Sequence, residues 1–234
     1  MPAATLTAFP ARLFMSDPSS RSQPAPADPQ APEADAAGED AANVALMLRV
    51  KQGDTRAFEQ LVERHQSAVI GTVARMLNSV DDAHDIAQQV FLRIWRSADR
   101  YQPTAKFTTW MFTITRNLVF NETRRRSRRR EVSLESDSED DAPRQFQDAT
   151  VAGPDQQALH AELEAAVDRA IAALPEKQRL AVVLRRYQEL PYEQLCEILG
   201  MSLPAVKSLL FRARNDLRKA LSTYLEDGTL EPES

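Results

Sequence analysis

Apolar side chains recur at helical spacing along most of this sequence, and this periodicity constrains the fold more than any other feature. Between residues 44 and 130 they return every three or four positions, with Gly53 and Asp54 as a break. Residues 158–225 show the same spacing, and no segment alternates apolar and polar residues as a half-buried strand would. The sequence therefore predicts an all-α protein with two small helical domains.

The spacing also predicts where individual helices lie. In the first domain we expect two helices around the Gly53 break, a third capped by Asp81, and a fourth from about Thr108 into a basic cluster. In the second domain we expect four helices, which cover residues 159–174, 180–187, 191–199 and 203 to about 225.

Three segments lack this periodicity. Residues 1–43 are rich in Pro, Ala, Ser and Asp and are predicted to form a disordered acidic tail. Residues 131–157 carry eight acidic side chains and one basic one, which favours a flexible acidic linker. Residues 226–234 form a second, short acidic tail. The two helical domains are thus expected at 44–130 and 158–225.

The charge of the chain is unevenly distributed. The formal net charge is −5, which on its own argues weakly against nucleic-acid binding. Residues 44–130, however, hold 16 basic and 8 acidic side chains, and six arginines lie between Arg124 and Arg130. The first domain is therefore strongly basic, and the acidic segments mask this in the total.

The stretch from Pro191 to Arg218 predicts a helix-turn-helix. Apolar residues occupy the positions where two helices would cross, Cys196 is a small residue on the first helix, and Gly200 lies where the turn needs a positive φ. Ser202 can cap the second helix, and Cys196 is expected to be a small buried side chain rather than a nucleophile. The outer face of the second helix would present the following residues to the major groove of DNA: Ala205, Lys207, Ser208, Phe211, Arg212 and Arg214.

The basic cluster of the first domain follows an aromatic segment, Phe107–Phe112, and shares its helix with Asn117 and Asn121. Arginines hold phosphates by charge, while aromatic and amide side chains can stack on or hydrogen-bond unpaired bases. This combination suits opened, single-stranded DNA. Trp110 and Phe112 suit either base stacking or the protein core.

Taken together, residues 44–225 resemble an extracytoplasmic-function (group IV) sigma factor, of the sigma-70 family of bacterial RNA polymerase. The resemblance rests on short motifs in the family's order: Gly53-Asp54 with Ala57-Phe58, Asp85–Phe91, Phe107–Trp110 with Asn117, Leu174-Pro175, and Tyr192–Arg214. It implies that 44–130 is sigma domain 2 and that 158–225 is sigma domain 4.

The resemblance also implies roles for particular residues. Core polymerase, through the clamp helices of its β′ subunit, would contact Asp85, Gln88, Gln89 and Arg93. Capture and melting of the minus-10 element would involve Tyr101, Lys106, Phe107, Trp110, Arg116, Asn117, Asn121, Arg124 and Arg125. The outer face of the helix-turn-helix would contact the minus-35 element, and the family adds the polymerase β flap and an anti-sigma factor as partners.

Other classes of protein fit less well. No nucleophile–base set, Gly-rich phosphate loop or metal-ligand spacing is present, so we predict no catalytic activity, no cofactor and no metal. No apolar run approaches the roughly 20 residues that span a bilayer, and we expect no membrane insertion and a cytoplasmic location. Two alternatives remain open from the residues: an operator-binding regulator whose N-terminal helices sense a ligand or dimerise, and an enzyme that carries a helix-turn-helix.

Overall fold

The computed structural model describes residues 31–133, 154–222 and 224, and within these ranges the chain is helical with no strand. The elements are α1 (Ala31–Lys51), α2 (Thr55–Leu77), α3 (Val80–Arg96), a 3-10 turn (Ala98–Arg100), α4 (Phe107–Ser133), α5 (Pro154–Ala173), α6 (Glu176–Tyr187), α7 (Tyr192–Leu199) and α8 (Leu203–Ala220). The predicted all-α class with two helical domains is confirmed.

The first module, α1–α4, is organised around α2. The Asp54 carboxylate accepts the Ala57 N–H at 3.0 Å and so caps the start of α2, while Arg49 at the end of α1 bonds the same carboxylate at 2.7 Å. One face of α2 is fully buried against α1, α3 and α4, with Leu61 and Val69 at its centre. Each such side chain contributes about 1.5–3 kcal/mol of burial free energy, so packing rather than helix propensity fixes this module.

The first helix begins earlier than the predicted domain boundary at residue 44. α1 extends back to Ala31 because this part of the sequence is rich in alanine, the strongest helix former, although it offers few apolar residues for a periodic pattern. Two polar side chains fix it in place. Asn43 is 1% exposed, and the Asp40 carboxylate accepts the Phe107 N–H at 3.0 Å, which satisfies an N–H at the start of α4.

The predicted cap of α3 is wrong by two residues. Ser79, not Asp81, occupies the N-cap position, and its hydroxyl oxygen accepts the Asp82 N–H at 3.4 Å. Asp81 and Asp82 lie in the first turn, where their negative charge is favourable to the helix dipole.

The boundaries of the acidic linker also shift. α4 continues through Ser133 and α5 begins at Pro154, so both ends of the segment predicted at 131–157 are helical. Its central part, 134–153, lies outside the described residues, as do residues 1–30 of the predicted N-terminal tail and the C-terminal tail.

The second module, α5–α8, has its own buried core. Leu180 and Leu184 of α6 pack with Leu195 and Ile198 of α7 and with Val206 of α8, each at most 1% exposed. α6 begins at Glu176, directly after Pro175, and α8 ends at Ala220, about one turn before the predicted end.

The two modules pack directly against each other: α4 lies on α7, and α2 lies on α5 and α6. The sequence predicts a flexible acidic linker between the two domains, and helical periodicity does not indicate this contact. No single helix in the described ranges is long and apolar enough to cross a membrane; by length and composition α7 and α8 would qualify only as a pair, and they are bent by 97°.

Candidate nucleic-acid interface

The outer face of α8 is exposed in the way that the sequence predicts. Val206, Leu209 and Ala213 are buried against α6 and α7, and this fixes the rotation of the helix. The positions between them point to solvent, and Phe211 is 60% exposed, the most exposed large apolar side chain among the described residues. The exposed set is Lys207, Ser208, Phe211 and Arg212, while Ala205 and Arg214 are half-buried at its edges.

The turn before α8 has the geometry that a helix-turn-helix needs. Gly200 has φ +65° in the left-handed region, and the Met201 N–H returns to the Cys196 carbonyl oxygen at 3.0 Å. Ser202 occupies the N-cap position, but its side chain makes no capping hydrogen bond, so that part of the prediction is wrong. Cys196 is half-buried rather than buried, since it lies at the rim of the core.

On α4 the polar candidates lie on one side and the core on the other. Phe107, Met111, Thr115 and Val119 form a buried row at four-residue spacing. Asn117, Asn121 and Arg124 are exposed on the opposite side, and Lys106 is exposed immediately before the helix. These four positions are accessible to a nucleic acid.

The aromatic candidates around the 101–107 loop are mainly structural. Tyr101 is 2% exposed and Phe107 is fully buried, and their rings lie 5.0 and 6.1 Å from the ring of half-buried Trp110. Burial raises the pKa of the Tyr101 hydroxyl, which lies in the interior and has no hydrogen-bond partner within the described ranges. Tyr101 and Phe107 therefore support the loop from inside and do not present their rings to bases in this conformation.

Part of the arginine cluster is engaged by carboxylates. Glu122, whose side chain is 9% exposed, accepts hydrogen bonds from Arg125 at 2.7 Å and from Arg126 at 3.1 Å. Arg126 also bonds Asp82 at 2.6 Å and thereby ties α4 to the start of α3. The Arg125 hydrogen bond, followed by that of Arg126, holds the pKa of Glu122 below its ordinary value. Arg124, Arg128 and Arg129 are exposed without these restraints.

The predicted polymerase face of α3 is fully accessible: Asp85, Gln88, Gln89 and Arg93 are all exposed. Beside it, α2 and α3 enclose a groove of about 760 Å³, which we call the α2/α3 groove. Phe58, Val62 and Trp95 form its apolar walls, and the Phe58 and Trp95 rings meet edge to face at 5.0 Å. Leu92 at its rim is 44% exposed.

The first helix of the helix-turn-helix covers part of α4. Gln194 of α7 is 8% exposed, and its side-chain oxygen accepts the Thr109 hydroxyl at 3.1 Å. Arg116 of α4 donates to the Ile198 carbonyl oxygen of α7 and to Asn117 Oδ1 at 2.7 Å. The sequence-predicted Arg116 is therefore occupied by the second module, and α7 lies against the same helix that carries Asn117.

A second contact joins α2 to the other module. The Arg75 guanidinium lies 3.9 Å from the centre of the Tyr187 ring, and Arg179 donates to the Met76 carbonyl oxygen at 2.7 Å. Arg75, Tyr187 and Gln194 were not among the residues predicted from the sequence. Their only signal was polarity within otherwise apolar helical faces, which does not distinguish a solvated side chain from one that joins two modules.

The described residues contain no group of three or more His, Cys, Asp or Glu side chains that could hold a metal ion.

Both modules match models of a known protein family. Residues 61–129 match the family model Sigma-70 region 2, and residues 164–217 match Sigma-70, region 4. The chain is 31% identical over 185 residues to the RNA polymerase sigma-H factor of Pseudomonas aeruginosa, which covers 78% of this chain and 95% of that protein. It is 35% identical over 184 residues to the ECF RNA polymerase sigma-E factor of Haemophilus influenzae, and the match covers 77% of this chain and 96% of that protein.

Solved structures show the same fold. The sigma factor RpoE of Bartonella quintana, crystallised in complex with the anti-sigma factor NepR, matches with a TM-score of 0.57 and 25% identity over 70% of this chain and 96% of that chain. CnrH, in complex with the cytosolic domain of CnrY, matches with a TM-score of 0.56 and 23% identity. That match covers 78% of this chain and 98% of the CnrH chain.

Proposed function

This chain belongs to the extracytoplasmic-function group of the sigma-70 family, and we propose that its two modules bind the two promoter elements while α3 holds it on core RNA polymerase. It is an alternative sigma factor for transcription initiation. The alternative of an operator-binding regulator is not favoured, because both modules of this chain match sigma-70 regions, and the two regions occur in the family's order.

The exposed face of α8 gives the main support for this proposal. Lys207 and Arg212 are cations that can contact phosphates or guanine edges, Ser208 can donate or accept, and Phe211 offers an apolar surface to thymine methyl groups. α8 is 18 residues long, or about 27 Å, and enters the major groove as a recognition helix. We assign Ala205, Lys207, Ser208, Phe211, Arg212 and Arg214 to the minus-35 element.

The minus-10 element is assigned to the exposed side of α4 and the loop before it. Lys106, Asn117, Asn121 and Arg124 are accessible, and an exposed amide such as that of Asn117 can hydrogen-bond a base turned out of the duplex. Tyr101, Phe107 and Trp110 support the loop from the interior. Arg116 and Arg125 become available to DNA only after their hydrogen bonds to Ile198 and Glu122 break.

Because the two modules pack against each other, their separation is a step of the proposed mechanism. In the docked arrangement α7 covers one side of α4 through Gln194 and Ile198, while α3 and the outer face of α8 stay exposed. Polymerase can therefore engage α3 first, and separation of α7 from α4 then frees Arg116 for the minus-10 strand. The energy for strand opening comes from binding, and the chain performs no chemical reaction.

The partners follow from this arrangement. The β′ clamp helices of polymerase would contact Asp85, Gln88, Gln89 and Arg93, and the β flap would contact the second module. An anti-sigma factor is a further partner, supported by the complex of the similar sigma factor RpoE with the anti-sigma factor NepR. The chain acts in the cytoplasm, where core polymerase and promoter DNA are found.

The α3 assignment is tested by charge introduction on an exposed surface. Gln88→Arg is expected to weaken binding to core polymerase at least about fivefold, because one misplaced charge at an interface costs on the order of 1 kcal/mol or more. Gln60→Arg on the outer side of α2 is the matched control, since Gln60 is also an exposed glutamine. Fluorescence anisotropy with labelled protein measures both; equal affinities for the two variants would contradict the assignment of α3.

A further inference from the structure

The α2/α3 groove is an open apolar surface in the folded chain. Half-buried Phe58, Val62 and Trp95 line it, and Leu92 is 44% exposed at its rim. A groove lined by large apolar side chains can receive the apolar side chains of a bound segment.

The groove also has a definite charge. Glu59 and Asp85 lie on its rim and both are exposed, and its lining contains no Lys or Arg. A segment that combines several large apolar side chains with one positive charge and no negative charge would fit both properties.

Such a segment lies within this chain, outside the described residues. Residues 6–15 contain five large apolar side chains, Leu6, Phe9, Leu13, Phe14 and Met15, together with Arg12 and no acidic residue. The following stretch, 16–30, is rich in Pro, Ser and Ala and contains no large apolar side chain. The apolar block is thus confined to ten positions, and the sigma fold described above does not use it.

We propose that residues 6–15 dock into the α2/α3 groove, with the apolar side chains against Phe58, Val62 and Trp95 and Arg12 at the carboxylates of Glu59 and Asp85. The segment then acts as an internal competitor for the surface beside α3.

The connection is long enough. The fifteen residues 16–30 span about 50 Å when extended, whereas α2, at 23 residues, is about 34 Å long. The tether is therefore longer than the helix that forms one wall of the groove. A short tether of this kind keeps the segment at an effective concentration on the order of millimolar, so a weak contact is enough to occupy the groove.

The consequence for polymerase rests on the function proposed above. Asp85 and Gln88 line the groove and also belong to the proposed polymerase face. Polymerase must therefore displace the segment. If the groove is occupied for about three quarters or more of the time, apparent affinity for core polymerase falls about fourfold or more.

The contact itself is tested without polymerase. A photo-crosslinking amino acid replaces Phe9 in the full chain, and the crosslinked peptides are identified by mass spectrometry. We expect intramolecular crosslinks to the α2 and α3 peptides that contain Val62 and Leu92, and at least a fivefold loss of these crosslinks in Leu92→Glu. Thermal unfolding of Leu92→Glu confirms that the variant is folded, since Leu92 is an exposed position.

Charge reversal provides the matched pair. Arg12→Glu is expected to reduce the same crosslinks several-fold, whereas Arg21→Glu, at the other basic residue among the first thirty, leaves them unchanged. Crosslinks that form mainly between two molecules, that fall on the second module, or that survive Leu92→Glu would overturn the proposal.

The competition is tested separately. The Phe9→Ser, Leu13→Ser variant should bind core polymerase about fourfold more tightly than the unmodified chain. Unchanged affinity despite the specific crosslinks would overturn the competition and leave the contact standing. If neither chain binds polymerase, the proposed function fails and the crosslink result still decides the contact.

Discussion

Removal of the Gln194 side chain should open the two modules. Gln194 is 8% exposed on α7, and its oxygen accepts the Thr109 hydroxyl of α4 at 3.1 Å. A buried hydroxyl left without a partner costs about 1–3 kcal/mol. Thr109 can recover part of this by bonding a carbonyl one turn back in its own helix, as Thr113 does at 2.8 Å. We therefore expect Gln194→Ala to weaken docking by about 1–1.5 kcal/mol, a shift of roughly tenfold in the ratio of docked to open molecules.

The ratio is measured by single-molecule energy transfer. Dyes are attached at Glu63→Cys and Lys219→Cys, which are exposed positions on different modules, in a background where Cys196 is replaced by Ala. The control is Gln60→Ala, which removes an exposed glutamine that lies away from the contact. Thr109→Val completes a double-mutant cycle and isolates the energy of this one hydrogen bond.

Three results would show that Gln194 does not hold the modules together in this way. Gln194→Ala could leave the docked fraction equal to that of the Gln60→Ala control. The effects of Gln194→Ala and Thr109→Val could add with no coupling energy, which would mean that the pair does not interact. Affinity for single-stranded minus-10 DNA could also stay constant while the modules open, and this would show that α7 does not obstruct α4.

Three further predictions concern the two DNA-binding faces and the ion pairs behind them. Lys207→Ala and Arg212→Ala should each weaken binding to minus-35 duplex by about 1–3 kcal/mol in a mobility-shift assay and leave polymerase affinity intact; an equal loss of both would contradict the division of roles. Asn117→Ala should reduce permanganate reactivity of promoter thymines at least tenfold with little change in closed-complex formation; a loss confined to closed complexes would place Asn117 elsewhere. Glu122 has a lowered pKa, mainly through the Arg125 hydrogen bond, so its stabilisation is complete above the unfolded-state pKa and is lost as pH falls through the lower folded-state pKa. In urea unfolding at neutral pH Glu122→Gln should be less stable by about 1–2 kcal/mol, and this deficit should shrink as the pH falls into the acid range; a deficit that does not change with pH would refute the ion-pair account.

Much of the fold could be predicted because its signals are local. The turn at Gly200 requires a positive φ, and the three- and four-residue spacing of buried Val206, Leu209 and Ala213 fixes which side of α8 faces outward. Such features depend on residues a few positions apart, and periodicity detects them directly.

The missed residues that join the modules make contacts between distant parts of the chain. Asp40 bonds the Phe107 N–H across 67 positions, and Thr109 bonds Gln194 across 85. A sequence pattern shows that each residue is polar but not which partner it meets. The same limit explains Tyr101: an aromatic residue in a loop suits base stacking or burial equally, and only packing against Phe107 and Trp110 decides between them.

The decisive experiment is transcription by core polymerase from a library of randomised promoters, with this chain as the only sigma factor. We expect core polymerase with the chain to select a two-block promoter motif, and the Lys207→Ala, Arg212→Ala variant to relax selection in the upstream block only. If the chain yields no promoter-specific transcripts above core polymerase alone, while the free chain binds a DNA site tightly, the proposed promoter-binding role is wrong.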